Sequence, residues 1–348
     1  MTKTKQQYSF DPSKVLLYKE NIDAILDWKP KSPIEVSVDP VNICQFRCEW
    51  CNGTRAITGK HIPKDAMLEM LENINKWGSK AVCLAGGGEV LLYQHTIETV
   101  EKCAELGLES ALITNGYLLK DKVMETCVKY MRWIGISVDA ANRETFKNSK
   151  KVDGFNQVIE NIKNAVLYRE KIGSKVGITF KFLIYHGNYK EIFNACLLAK
   201  GLGCDSFHAR PVDYLSFNDT EIQLDVHEIN RQIEKCLKEL KDDTFEVVPL
   251  FLNFNKDLKR KIEFDKCELS PLLGLVTPTG WWLCVDRRGH KGTWLCEIDE
   301  IRSYWGSEEH LKLINKINPK HDCGKCTLAK YHPYFHAYRN DWYYWRFV

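Results

Sequence analysis

Apolar and polar positions along the chain fall into two repeating patterns. Short β-rich runs occur at 34–39 (IEVSVD), 80–85 (KAVCLA), 110–114 (SALIT), 132–138 (RWIGISV), 176–184 (VGITFKFLI) and 206–212 (SFHARPV), and each reads as a strand. Between them lie stripes at i, i+3/i+4 and i+7: Met67, Met70, Leu71 and Ile74 in one segment, Val158, Ile162, Ala165 and Val166 in another. Such stripes belong to helices that lay one apolar face on a sheet. Six β-α units in succession predict an α/β fold with a parallel sheet, and right-handed crossovers wrap it into a partial (β/α)6 TIM-like barrel. Chemistry in such sheets sits at the carboxyl ends of the strands, and Cys44 lies just beyond the first.

After residue 212 the alternation stops. A polar stretch leads into an amphipathic helix through Ile229, Ile233, Leu237 and Leu240, and from about residue 262 the composition shifts to Cys, Trp and Gly around short strand-like pieces. We therefore expect an N-terminal extension at 1–33, the partial barrel at 34–225, a linker helix at 226–262 and a small cysteine-rich domain at 263–348. A unit that small would draw stability from its own metal. The C-terminal run YHPYFHAYRNDWYYWRF reads as packing that closes the barrel or covers the second cysteine group.

Charge narrows the partners. A net charge of +3 with near-balanced acids and bases gives no push toward nucleic acid or an anionic membrane, and no apolar run is long enough to span one. The expected location is the cytoplasm, where thiols stay reduced, so grouped cysteines point to metal ligation or catalysis. Seven of the 14 cysteines fall into two groups.

The first group, Cys44, Cys48 and Cys51, stands at C-x3-C-x2-C. A tetrahedral zinc site would want a fourth Cys or His nearby. A cubane iron-sulfur cluster has four irons, so three thiolates leave one iron open to a small molecule. After the second strand, Gly86, Gly87 and Gly88 let backbone approach a ligand, and Glu89 offers a carboxylate to an ammonium group. Trp50, just before the last cysteine of the loop, can stack on a planar base.

On these residues the chain resembles the radical S-adenosylmethionine (radical SAM) superfamily: C-x3-C-x-aromatic-C at 44–51, GGGE at 86–89, ITNG at 113–116 and SVDA at 137–140, in family order over roughly 34–212. The resemblance implies a SAM-binding [4Fe-4S] cluster on Cys44, Cys48 and Cys51, with S-adenosylmethionine chelated at the open iron. Reductive cleavage would then give a 5′-deoxyadenosyl radical that abstracts a substrate hydrogen. It implies further that Glu89 holds the SAM ammonium, Trp50 packs near adenine, and Asn115 and Ser137 lie near the sugar or carboxylate. For the last two an ordinary cap or turn role stays open.

The second group, Cys267, Cys284, Cys323 and Cys326, resembles the twitch domain, the shortened form of the SPASM domain. Four thiolates would saturate a second, auxiliary [4Fe-4S] cluster and suit it to carrying electrons. The spacing resembles that of 2-deoxy-scyllo-inosamine dehydrogenase-type enzymes, which implies oxidation of a secondary alcohol on a sugar or aminocyclitol-like small molecule, with a flavodoxin- or ferredoxin-type electron donor. From position in the barrel, Lys181, His208 and Arg210 are candidate substrate-binding residues. Asp139, Arg210, Cys204 and Cys296 are candidates for proton or hydrogen-atom transfer, although a buried free cysteine is often just a small hydrophobe. The alternatives are an epimerase that returns hydrogen to the opposite face, a maturase of ribosomal peptides, and a metal-binding scaffold without catalysis.

Overall fold

The computed structural model describes residues 12–51, 58–212, 224–249, 262–290, 292–324 and 326–339, and the end of the aromatic run, 340–348, lies outside them. Six strands form where the β-rich runs predict them: β1 (Glu35–Val38), β2 (Ala81–Leu84), β3 (Glu109–Thr114), β4 (Trp133–Ser137), β5 (Gly177–Ile184) and β6 (Ser206–Pro211). They pair in chain order and all in parallel. The α-helices described up to residue 239 are α1 (Lys19–Leu26), α2 (Lys64–Trp77), α3 (Thr96–Glu105), α4 (Asp121–Tyr130), α5 (Arg143–Lys150), α6 (Phe155–Ile172), α7 (Ile192–Gly201) and α8 (Val226–Glu239). Each of α2 to α7 lies between two consecutive strands in sequence or shares that crossover with a neighbour, as a partial barrel of β-α units requires.

Strand periodicity separates the two faces of the sheet. Val82, Leu84, Leu112, Ile134, Ile136, Ile178, Phe180, Phe182 and Phe207 are buried and share one core with Met67, Met70, Leu71 and Ile74 of α2 and Val158, Ile162, Ala165 and Val166 of α6. The alternate positions carry Cys83, Ala111, Ser137, Lys181 and Arg210, all only partly buried. Register sets Ser137 opposite Lys181, and Lys181 opposite His208. The inner face is thus the polar one, and it leads to the carboxyl ends.

The sheet does not end at six strands. The segment expected to be a linker supplies α8 and then β7 (Glu246–Pro249), which adds in parallel to β6. At the other edge β8 (Leu273–Thr277) pairs in parallel with β1, and β9 (Gly280–Trp282) and β10 (Trp294–Cys296) follow in antiparallel order. The ten strands among the described residues form one sheet, ordered β10-β9-β8-β1-β2-β3-β4-β5-β6-β7. The C-terminal segment therefore extends the barrel sheet through backbone hydrogen bonds, where sequence alone suggested a separate unit. Among the described residues no helix is long and apolar enough to cross a membrane.

Phe180 is fully buried, with its ring 5.9 Å from that of Phe207. Phe180→Ala is expected to lower the unfolding free energy by about 3–5 kcal/mol, read from the urea midpoint at unchanged slope.

Candidate active site

The loop after β1 carries three thiols and is fixed from several sides. Phe46 is buried, edge-on to Tyr117 and Phe146 at 5.8 Å from each. Arg47 N donates to Lys150 O at 3.0 Å and Cys51 N to Cys48 O at 3.1 Å. Cys44, Cys48 and Cys51 lie within electrostatic reach of one another, and Lys150 acts on Cys44 and Cys48. Burial pushes the Cys44 thiol up and the Cys48 thiol up to about 11, with Lys150 opposing. Thiolates here need a positive partner, which a cluster of irons supplies. Among the described residues no three Cys, His, Asp or Glu side chains gather around one ion. Thiolates of a cubane bind different irons and so stand wider apart than ligands of a single ion, and the donor set of this loop fits that group.

The GGGE segment packs directly on this loop. Glu89 N donates to Ile43 O at 2.7 Å. A Cβ on Gly88 would stand 2.4 Å from Ile43 O and 2.6 Å from Ile43 N, and one on Gly86 would stand 2.4 Å from Gly88 O. Two of the glycines expected to admit a ligand therefore admit protein backbone; Gly88 lets the cysteine loop come into contact. Glu89 is 3% exposed, and burial raises its pKa against hydrogen bonds that lower it. Its Oε1 accepts from Thr114 Oγ1 at 2.5 Å and Leu91 N at 3.1 Å, and its Oε2 accepts from Asn115 N at 2.8 Å. Asn115 Nδ2 in turn lies 3.9 Å from Cys44 Sγ. Glu89, Asn115 and Cys44 thus meet at the carboxyl ends of β1 to β3.

Asp139 belongs to the scaffold of this site. It is fully buried with φ of 59°, and it forms an ion pair with Lys150. Its Oδ1 accepts from Leu183 N at 2.7 Å, and its carbonyl accepts from Asn188 Nδ2 at 2.8 Å. Both oxygens of its carboxylate thus face protein donors, Lys150 and Leu183 N, as in a scaffold. Lys150 was missed from the sequence. Burial pulls its ammonium down, but Asp139, then the thiols of Cys48 and Cys51, outweigh that and push it up. The ammonium also lies 5.3 Å from the Trp50 ring centre, and Trp50 packs at 4.4 Å on Tyr185. A signal existed: Phe146, Ser149 and Lys150 occupy i, i+3 and i+4, which puts a lysine on the buried face of α5.

Lys181, His208 and Arg210 do share the inner face. Burial and then the Arg210 charge pull Lys181 down to about 8, and burial and then Lys181 pull His208 down to about 3. Beneath them Trp133 donates Nε1 to Thr179 Oγ1 at 2.6 Å, stacks on His208 at 6.2 Å, and lies 5.5 Å from Lys181 Nζ. Ser137 lies beside them, opposite Lys181 in register.

Cys267, Cys284, Cys323 and Cys326 also converge. Cys323 acts on Cys267, Cys267 and Cys323 act on Cys326, and Cys267 and Cys326 act on Cys284. Burial pushes Cys267 up to about 11, Cys326 up to about 12, and Cys284 and Cys323 upward. Cys296 stands apart from them, buried in β10 opposite Trp281, with Glu300, Glu297 and Asp299 as its charged neighbours. Cys204 is buried before β6, at the amino end of the strand, beside Asp205 and Arg169. The end where Cys44 lies is the opposite one, so strand direction removes Cys204 as a hydrogen donor there.

Comparison with known proteins agrees with this geometry. The radical SAM superfamily pattern matches residues 38–191. A probable GTP 3′,8-cyclase of Saccharolobus islandicus is 30% identical over 211 residues, 58% of this chain and 66% of that protein. The chain thus spans just under two thirds of that relative. An S-adenosylmethionine-dependent nucleotide dehydratase of Lacinutrix mariniflava is 28% identical over 140 residues, 37% of this chain and 29% of that protein. Among solved structures, Streptococcus suis SuiB bound to precursor peptide SuiA matches with a TM-score of 0.65 at 16% identity, over 95% of this chain and 78% of that one, a likeness of fold.

Two substitutions test the site. Gly88→Ala drives a Cβ into backbone of the cysteine loop, and iron bound per chain after anaerobic reconstitution is expected to fall at least about twofold while far-UV circular dichroism is unchanged. Lys150→Met leaves the Asp139 carboxylate buried and alone, which is expected to cost about 3–5 kcal/mol of stability in chemical denaturation.

Proposed function

We propose that this chain, whose residues 38–191 match the radical SAM superfamily, is a radical SAM enzyme that oxidises a secondary alcohol on a sugar-like substrate carrying an anionic group. The observation that carries the reading is the meeting of three thiols, Glu89 and Asn115 at the carboxyl ends of β1 to β3. Bound there, an iron-sulfur cluster with SAM would supply the single electron that splits SAM into methionine and a 5′-deoxyadenosyl radical. Cys44, Cys48 and Cys51 would hold the cluster, and Glu89 would take the SAM ammonium on the lone pair its present donors leave free. Trp50, held by Lys150 and Tyr185, would pack near adenine, and Ser137 near the ribose.

For the substrate, the support is the cationic inner face. Lys181 and Arg210 are like-charged neighbours in a site of low dielectric, which favours an anion such as phosphate or carboxylate between them. Two relatives bear GTP or nucleotide in their names, which is in keeping with a phosphorylated substrate. In the oxidation the carbinol carbon loses a hydrogen atom to the deoxyadenosyl radical, the hydroxyl loses a proton to water, and one electron leaves the substrate. Cys267, Cys284, Cys323 and Cys326 would hold an auxiliary cluster, which would supply the acceptor for that electron. The first electron would come from a flavodoxin- or ferredoxin-type donor; Ile43, 41% exposed beside Cys44, offers it an apolar contact. Epimerisation would need a hydrogen donor on the substrate face opposite the radical; Cys204 lies before the amino end of β6 and Cys296 in β10, three strands from β1.

The test is an anaerobic assay with SAM, a reductant and a panel of sugars, aminocyclitols and nucleotide sugars, following 5′-deoxyadenosine and product mass together. A product lighter by two hydrogens, matched one to one with 5′-deoxyadenosine, is expected; an isomer of unchanged mass that gains solvent deuterium would replace oxidation with epimerisation. Cys48→Ala is expected to abolish 5′-deoxyadenosine formation, and Cys323→Ala to spare it while suppressing oxidised product. Lys181 loses its proton as pH rises through about 8, so KM for an anionic substrate is expected to climb above that pH in the parent and to be flat there in Lys181→Met.

A further inference from the structure

Three consecutive residues after Cys284 reach three different parts of the chain. Asp286 accepts from Thr327 N at 2.6 Å and Thr327 Oγ1 at 2.8 Å, next to Cys326, and its own N donates to Cys284 Sγ at 3.3 Å. Arg287 Nη1 donates to Asp322 O and lies 3.8 Å from Cys323 Sγ. Arg288 turns the other way and grips Asp39, donating Nη2 to Oδ1 at 3.0 Å with Nε against Oδ2.

Asp39 is the residue through which the first cysteine group meets this segment. It follows β1, leads into the loop of Cys44, and is 1% exposed. Its backbone N donates to Val276 O of β8 at 2.8 Å. Its carboxylate is also bonded by the backbone of Gly87, where a Cβ would come within 2.9 Å of Oδ2. So the middle glycine of GGGE makes room for Asp39. A carboxylate in this surrounding needs a cation at fixed geometry, and the guanidinium supplies it with a hydrogen bond from Nη2 and an ion contact at Nε, where an ammonium supplies only a point charge.

We infer that Arg288 is a positioning residue which, through Asp39, ties the loop of Cys44, Cys48 and Cys51 to the segment of Cys284, so that the two thiol groups are held as one unit. Arg287 and Asp286 hold the far side of that unit. The tie acts on protein conformation, and it stands whether or not the reaction proposed above is the right one.

Hydrogen exchange of the full chain, before and after iron-sulfur reconstitution, tests it. In R288M the amides of 41–47 and of 322–327 are expected to exchange about tenfold faster than in the parent, with a smaller rise in R288K, while amides of α2 and α6 are unchanged. The double variant D39N/R288M lacks the unpaired charge and is expected to stay fast, since the tie is still missing. Parental exchange at 41–47 in R288M, acceleration confined to 285–290, or full recovery in the double variant would each overturn the inference. Should R288M fail to fold, R288K decides on the same amides, a parental rate there counting against it. In an active preparation the ratio of product to 5′-deoxyadenosine is expected to fall at least twofold in R288K, a coupling readout that simple loss of folded protein would not move.

Discussion

The cysteine loop rests on an ion pair that solvent does not reach. Asp139 at the end of β4 and Lys150 at the end of α5 are both buried, and in a medium of low dielectric neither charge can stand without the other. Each is also attached elsewhere. Asp139 accepts from Leu183 N on β5, the Lys150 carbonyl accepts from Arg47 N in the loop, and the Lys150 ammonium stands over Trp50. Two strands, one helix and the thiol-bearing loop are thereby fixed by one electrostatic requirement. This pair accounts for the left-handed backbone at Asp139, a conformation a non-glycine residue keeps only where its surroundings impose it.

Inside the barrel the same low dielectric acts in the opposite sense. Lys181 has Arg210 as its strongest charged neighbour, and its ammonium is pulled down where that of Lys150 is pushed up. One lysine completes the scaffold; the other gains from any anion that enters. Trp133 lies against Gly135 and so floors the space beneath Lys181 and His208 with an aromatic face. The strand pleat produces this division: positions that alternate along β4 to β6 send Ile134, Phe180 and Phe207 to the helices and Ser137, Lys181 and His208 inward.

Six strands were legible because their apolar alternation is local, and local pattern fixes a strand to within a residue or two. Pairing partners are not local. Nothing in the run of β8 says that it lies beside β1, and β7 follows a charged stretch and ends in proline, a residue that argues against a strand. The thiols, Glu89 and Asn115 were legible as chemistry because their spacing is unusual. The glycines were legible as places of close approach, though what approaches, Ile43 backbone at Gly88 and Asp39 at Gly87, comes from tertiary contact. Lys150 was hidden between exposed Lys147 and Lys151, and Asp39 has no motif at all. The misplacement of Cys204 is of another kind: strand polarity put it at the wrong end, and that polarity was already in the sequence order.

The two thiol groups belong to segments that share a backbone seam. β8 pairs with β1 from Glu35 opposite Leu273 to Val38 opposite Val276, and Asp39 N extends the ladder by one bond. A ladder of backbone bonds constrains separation far more tightly than side-chain packing between independent domains, whose interfaces permit relative motion. Any electron passed between the groups depends steeply on their distance. A segment distant in sequence is therefore better joined to the edge of the sheet than docked on its surface, and the long excursion from β1 to β8 costs little, since loop-closure entropy grows only slowly with length. What the ladder leaves free is the chain beyond its ends, on both sides: Asp39 leading to Cys44, and Cys284 leading to Arg288. The Arg288–Asp39 pair joins those two segments, and for that reason a single half-buried ion pair at the seam has more leverage on the geometry of both groups than a contact of equal strength elsewhere on the sheet.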